Sequence, residues 1–292
     1  MKKSKKIAAL ILALAMLLCL SACGMFETRM ARAAVKMQKL ESMRMDMDLD
    51  LGLDVSLLGA SEDMNIGIHG SGDVLLDPLI MRMILHVDAA DEKLETLYYV
   101  RQNGQEYQVF FSPDDGETWM KETAEGEDLP AQAPTAEQLK FLLKCAESFA
   151  ESGRETIKGS EATVYSGVIE GENLDVILAA SGVMEALSEA LEMDLSDVEV
   201  SRYGSVPCTI AIDNRSGMVV RYTLDLTQVL QGAMDEAVQG ALQSMAEDSL
   251  LGGLDLSGLG FHVELSRAMT TVTLYDFDQV GEIQIPQEAL DA

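Results

Sequence analysis

The chain has 292 residues, of which 49 are acidic and 21 are basic, so its formal net charge at pH 7 is −28. A surface this acidic repels nucleic acids and anionic lipid headgroups, which argues against DNA or RNA binding as a function. The length is enough to bury one large core, and 18 methionines supply flexible apolar side chains for it.

Residues 1–22 have the pattern of a signal peptide. Four lysines within residues 2–6 precede an almost unbroken apolar run over 7–20, which is too short to span a bilayer as a stable anchor. Leu20-Ser21-Ala22-Cys23 resembles the lipobox of bacterial lipoproteins. That resemblance implies cleavage before Cys23 and a diacylglycerol on its thiol, which would hold the mature protein on the outer face of the cell membrane. The alternative is an ordinary cleaved leader that a cysteine follows by chance.

Removal of this leader changes both the charge and the number of cysteines. It takes away four lysines and no acids, so the mature charge is 17 − 49 = −32. Cys19 leaves with the leader and Cys23 would carry the lipid, which leaves Cys145 and Cys208. These two either pair in a disulfide or lie buried as separate thiols, and no cysteine spacing fits a zinc site.

A short tether is predicted over residues 23–28, followed by a single domain over 29–292. Apolar residues at helical spacing predict an amphipathic helix over 27–40. The spacing then changes to two, because seven apolar residues from Met43 to Val55 alternate with polar ones. This pattern predicts a long strand with one apolar face, and packing of that face must stabilise it because aspartate is a poor strand former.

The rest of the chain predicts strands in two groups with helices after each. In the first group, strands at 64–76, 79–87, 94–102, 106–112 and 118–122 form an antiparallel meander, with a hairpin turn at Asn103-Gly104. A loop over 124–134 and a helix over 135–152 follow. The second group is predicted as strands at 154–158 and 161–170, a helix at 173–193, a hairpin of 206–213 with 218–226, a helix at 227–246 and strands at 262–267 and 269–277.

Two motifs in these strands invite functional interpretations that their details do not support. The run Asp46–Asp50 lacks the glycine and the glutamate of an EF-hand loop, since those positions hold Leu51 and Leu57. The run Ser112–Trp119 resembles the Asp-box hairpin of sialidase-type propellers, but it occurs once where a propeller needs several copies. It therefore predicts a structural turn and not glycosidase activity.

The sequence predicts no enzyme and no cofactor or metal site. Methionines at spacing two in the first and third strands could be ligands for Cu(I), but methionines this numerous are better explained as apolar packing. None of the three histidines neighbours an obvious nucleophile, and no G-x-S-x-G, H-E-x-x-H or phosphate-binding loop is present.

The order of these elements resembles a known group of lipoproteins. The elements follow one another as in Gram-positive lipoproteins of the LolA/LolB-like fold, related in architecture to mycobacterial LppX and LprG. They are a lipobox, a short helix, a methionine-rich alternating strand, the turn before Trp119, a strand pair at 207–213 and 217–222, and the endings 274–277 and 283–286. The resemblance implies an α+β fold, in which a strongly curved antiparallel sheet, or half-barrel, has helices packed on its concave face. Members of that fold carry acyl chains between sheet and helices.

The residues and the resemblance together predict an extracytoplasmic, membrane-anchored lipoprotein that binds a lipid or other hydrophobic ligand between sheet and helices. The predicted lining residues are Met43, Met45, Met47, Leu49, Leu51, Met81, Met83 and Met234. The helix over 227–246 either simply covers the sheet or is part of a movable lid. The alternative function is an interaction or sensor lipoprotein without a cavity, whose acidic face binds a protein partner of the cell envelope.

Overall fold

The computed structural model describes residues 26–57, 60–89, 92–104, 106–125, 149–170, 200–247 and 262–292. Within them, eleven strands form one antiparallel sheet: β1 (Ser42–Leu57), β2 (Ala60–Leu76), β3 (Leu79–Ala89), β4 (Glu92–Asn103), β5 (Glu106–Ser112), β6 (Met120–Glu125), β7 (Ala150–Ile157), β8 (Ser160–Ile169), β9 (Val206–Asp213), β10 (Val219–Asp225) and β11 (His262–Tyr275). The helices are α1 (26–37), α2 (Thr227–Glu247) and α3 (Gln287–Leu290).

The centre of the sheet is the strand that the alternating sequence pattern predicts. The strand order is β6-β5-β4-β3-β2-β1-β11-β10-β9-β8-β7, so β1 pairs with its successor β2 on one side and with β11 on the other. The sheet is open, with β6 and β7 as its edges. The predicted α+β fold, a curved antiparallel sheet with helices packed on its concave face, is confirmed.

One apolar cluster lies between the sheet and helices α1 and α2. Met30 and Ala33 of α1 and Val229 and Leu230 of α2 are buried in the same cluster as the inward side chains of β1. Each helix therefore covers the same face of the sheet with its apolar stripe, as helices at spacing 3.6 do when they pack on a half-buried sheet.

The outer face of β4 and β5 is covered by the end of the chain. Tyr99 and Phe110 point away from the main cluster and pack with Ile283, Ile285 and Ala289. The ring of Trp119 joins them, with its centroid 5.8 Å from that of Tyr99. The C-terminal segment therefore stabilises the sheet from its outer side.

Four predicted boundaries are corrected by the structure. The helix predicted to run to Ser152 is wrong at its end, because β7 already begins at Ala150. The loop predicted from Ala124 begins two residues too early, because β6 extends to Glu125. The two last strands are one continuous strand, β11. Residues 26–28, assigned to the tether from the sequence, are helical, and Phe26 is buried.

Several predictions fall on residues outside the described ranges. These are the signal peptide with Cys23, the loop over 126–134, the part of the next predicted helix over 135–148, the helix over 173–193, and Cys145. Cys208 lies buried on β9. Because Cys145 is outside the described residues, a disulfide and two separate thiols both stay open as predictions.

Candidate ligand-binding face

Strand β1 presents the apolar half of its alternating sequence to the interior. Met43 and Met45 are 1% and 2% exposed, and Leu51 is also buried. Met47 and Leu49, between them, are only half-buried although they pack against the same cluster. The inner face of β1 is therefore closed at Met43 and Met45 and again at Leu51 and Leu53, and it is more open at Met47 and Leu49 between them.

Two glycines of β2 make room for the methionines on either side. In the sheet register Gly72 lies between Met45 of β1 and Met83 of β3, and Gly70 lies opposite Met47. A Cβ atom at Gly70 would lie 3.6 Å from the Cε atom of Met47, and one at Gly72 would lie 3.6 Å from the Cβ atom of Met83. The missing side chains on β2 thus leave space into which flexible thioethers extend.

The half-buried region continues across the neighbouring strands. Leu85 on β3 and Tyr98 on β4 are half-buried and pack against the main cluster, as Ile66 on β2 does. Together with Met47 and Leu49 they form what we call the central apolar strip. It crosses four adjacent strands at the middle of the concave face.

Helix α2 is fixed to the sheet through its first half. The amide of Gln231 donates to the Val263 carbonyl oxygen at 3.0 Å, and its carbonyl oxygen accepts from the Leu265 amide. The Thr227 hydroxyl accepts from the backbone amide of Ala268 at 2.9 Å. Met234 follows in the next turn and is buried. These contacts favour a permanent cover over a lid for this half of the helix.

The structure brings the eight predicted lining residues together on one face. Six of them are buried in the main cluster, and the other two, Met47 and Leu49, pack against it. Their role in binding a ligand is untested and stays a prediction. Gly70 and Gly72 were not predicted from the sequence as part of this face, although the alternation of glycine with polar residues within β2 is a signal for them.

The outer face of β1 carries aspartates that are paired within the chain. Asp46 accepts from the Lys158 ammonium at 2.6 Å, Asp48 from His69 at 2.8 Å, and Asp50 lies 3.2 Å from the Arg267 guanidinium. The hydrogen bond with Asp46 raises the pKa of Lys158, and that with Asp48 raises the pKa of His69. Among the described residues no group of three or more His, Cys, Asp or Glu side chains is arranged to hold a metal ion.

A polar pocket of about 420 Å³ opens beside the half of β1 that follows Asp50. Asp63 of β2 lines it, and a proton shared between Asp54 and Asp63 raises the pKa of Asp54. Of the predicted lining set, this pocket includes Leu51 and none of the methionines. It adjoins the central apolar strip at Ile66 and is otherwise lined mainly by polar residues.

The comparisons with known proteins give a partial family match and two similar lipoprotein structures. A family model described as a family of unknown function, DUF6612, matches residues 27–164. Curated protein sequences give no match. The structure is similar to LprF from Mycobacterium bovis, at 12% identity and TM-score 0.45 over 91% of this chain and 98% of LprF. It is also similar to lipoprotein LppX from Mycobacterium tuberculosis, at 13% identity and TM-score 0.39 over 88% of this chain and 96% of LppX.

LppX is one of the proteins named in the resemblance predicted from the sequence. The assignment of the fold itself rests on the eleven-stranded sheet of this chain. Within the described ranges, none of the helices combines the length and the apolar character needed to cross a bilayer.

Proposed function

We propose that this protein is an extracytoplasmic lipoprotein, anchored through Cys23, that holds a lipid or another apolar molecule between its sheet and its helices. The observation that carries the proposal is the central apolar strip, which is half-buried while the face around it is buried. A folded protein gains by burying apolar area, at about 25 cal/mol per Å², and an apolar ligand on this strip would complete that burial.

The chemistry of the lining fits a ligand with flexible acyl chains. Methionine side chains have three rotatable bonds and a polarisable sulfur, so they adapt to irregular apolar surfaces. Met45, Met47 and Met83 lie beside the two glycines of β2 in the sheet register, and the side chain of Leu85 reaches to 2.8 Å from the position that a Cβ atom of Gly70 would take. The proposal assigns no catalytic residue, and the role is binding and not chemical conversion.

The position of the anchor supports exchange with a membrane. Cys23 precedes Phe26, the first described residue of α1, by three positions. Three extended residues span about 10 Å at most, so the lipid on Cys23 would keep α1 and the apolar cluster beneath it close to the bilayer surface. A ligand leaving the membrane would travel only a short distance through water.

Native mass spectrometry of the full-length protein tests this proposal, combined with extraction of non-covalent lipids. Wild type should carry an apolar adduct beyond the covalent lipid, and it should take up a pyrene-labelled fatty acid. Met47→Gln keeps the length of the side chain but leaves an amide without partners in the strip, so uptake should weaken roughly tenfold.

The matched control is Met64→Gln, since Met64 lies on the same sheet but is 39% exposed and outside the main cluster. It should take up the probe as wild type does. If extraction yields no non-covalent lipid and the protein takes up no fatty acid, the proposal is refuted. A packed interior would then favour an interaction lipoprotein of the envelope.

A further inference from the structure

A pocket of about 210 Å³ between α1 and the β9–β10 turn differs in charge from the rest of the molecule. It is lined by Arg29, Arg32, Lys36, Ile212, Asp213, Asn214, Arg215 and Gly217. Four cations and one carboxylate give this lining a formal charge of 4 − 1 = +3, in a chain whose net charge is −28. The central apolar strip contributes no residue to this pocket.

The four cations have no carboxylate partners within the described part of the chain. None of Arg29, Arg32, Lys36 and Arg215 forms an ion pair there, although the chain has 49 acidic residues against 21 basic ones. Other described cations, such as Lys39 and Arg82, also form no ion pair, but these four line a single pocket. A pocket with four unneutralised cations attracts an anion that the described chain does not itself supply.

Two of these cations are held in place and two are available. Arg29 donates to the Thr163 hydroxyl at 3.2 Å, and Lys36 donates to a carbonyl oxygen of the turn. The side chains of Arg32 and Arg215 are exposed and make no hydrogen bond to the described residues. The pocket thus has a fixed wall and two guanidinium groups that can close on a ligand.

The single carboxylate of the pocket is committed to the turn. Asp213 is 4% exposed, and its Oδ1 atom accepts from the backbone amides of Arg215 and Ser216. Burial by itself would raise the pKa of Asp213, but these hydrogen bonds hold it below its usual value. Its Oδ1 atom therefore fixes the backbone beneath Arg215, whereas its Oδ2 atom is buried without a hydrogen-bond partner in the described part of the chain.

We propose that this pocket binds a phosphate group. Guanidinium groups bind phosphate through two parallel charge-assisted hydrogen bonds, and arginine is well suited to this geometry. The pocket has the volume of several water molecules at roughly 30 Å³ each, which accommodates a tetrahedral oxyanion. The phosphate belongs either to a soluble ion or to the headgroup of a phospholipid, and Arg29 is six residues from Cys23. This site goes beyond the proposed apolar cargo and does not depend on it.

The test is equilibrium dialysis of the full-length protein in a nonionic detergent against radiolabelled inorganic phosphate. A second arm measures binding of phosphatidylglycerol added to the micelles. The test variant Arg32→Gln/Arg215→Gln removes two charges that make no described contact, and the loss of two charge-assisted contacts should weaken binding at least about tenfold.

The control Arg202→Gln/Arg267→Gln removes the same charge from side chains that are 58% and 57% exposed and do not line this pocket. It should change binding less than about twofold, since distant exposed charges are screened. Phosphate should also raise the melting temperature of wild type relative to chloride at equal ionic strength, which needs no variant.

Loss of binding in the test variant alone, in either arm, supports the site, and the arm that responds identifies the source of the phosphate. Absence of binding in both arms, or equal loss in test and control variants, overturns the proposal. Because apolar uptake is measured with a different probe on different residues, failure of one proposal leaves the other standing.

Discussion

Replacing Gly167 with alanine tests how α1 is held against the sheet. Gly167 lies on β8, and the ring of Phe149 packs flat on it, so that an added Cβ atom would lie 2.6 Å from two ring carbons. Phe149 is 1% exposed and stacks on Phe26 of α1, with ring centroids 4.7 Å apart and an angle of 11° between the planes. The ring must move, and its contact with α1 moves with it.

The expected loss of stability follows from three contributions. Overpacking a core position costs about 1–3 kcal/mol, and a disturbed aromatic pair costs about 0.5–1.5 kcal/mol more. Alanine offsets about 0.4–1 kcal/mol of this by restricting the unfolded chain. We therefore expect Gly167→Ala to lower the free energy of unfolding by about 2 kcal/mol.

Urea unfolding followed by circular dichroism measures this change, with Gly153→Ala as the matched control. Gly153 is also a strand glycine, but nothing lies within 4 Å of the position that an added Cβ atom would take, so alanine should leave stability unchanged or slightly higher. Adding Phe149→Leu should restore part of the stability lost in Gly167→Ala, because the smaller side chain can move aside. Equal stability of the two alanine variants would refute the proposed packing of α1.

Two further predictions concern pH. The hydrogen bond that the His69 ring donates to Asp48 raises the pKa of His69 above 6.5, so this pair's contribution to stability is complete below pH 6.5 and is lost as pH rises through the higher folded value. Asp48→Asn should lower that pKa in an NMR titration, and an unchanged titration would contradict the pairing. Hydrogen bonds from the Thr118 hydroxyl and amide lower the pKa of Asp114 below 3.8, so the turn should keep its contribution above pH 3.8 and lose it as pH falls through the lower folded value. Asp114→Ala should shift Trp119 fluorescence at neutral pH to that of the acid-treated wild type, whereas Asp115→Asn should not.

The strands and the apolar face are predictable because period-two alternation is a local signal. Met43 to Val55 alternate without interruption, and β1 and its inner face follow directly. The irregularity opposite Gly52 and Leu53 explains why the sequence predicts two strands where β11 is one. Ser266 is skipped in the pairing, so the alternation changes phase at the point where one predicted strand ends and the next begins.

The error at β7 and the missed phosphate pocket have a common cause. Seven of the eight residues of β7 are exposed, so no apolar alternation marks its first residues, and the sequence predicts the strand only from residue 154. Pairing with β8 extends it back to Ala150. The phosphate pocket joins Arg32 to Arg215, which lie 183 positions apart in the sequence. The spacing of Arg29, Arg32 and Lys36 along α1 could indicate the side of the pocket that this helix forms. The turn with Arg215 forms the other side, and only the pairing of the strands places it next to α1.

The pairing of β1 with β11 has a consequence for the order in which the protein is assembled. A chain that emerges N-terminus first presents β1 long before β11, and contacts so distant in sequence form late. The strands β1 to β6 can pair with their neighbours as they emerge, but β1 lacks its second neighbour until the final strand arrives. During that interval the methionine face is exposed to water. Truncation from β11 onward would therefore remove the centre of the sheet and not an edge, and would leave the protein permanently in that unfinished state.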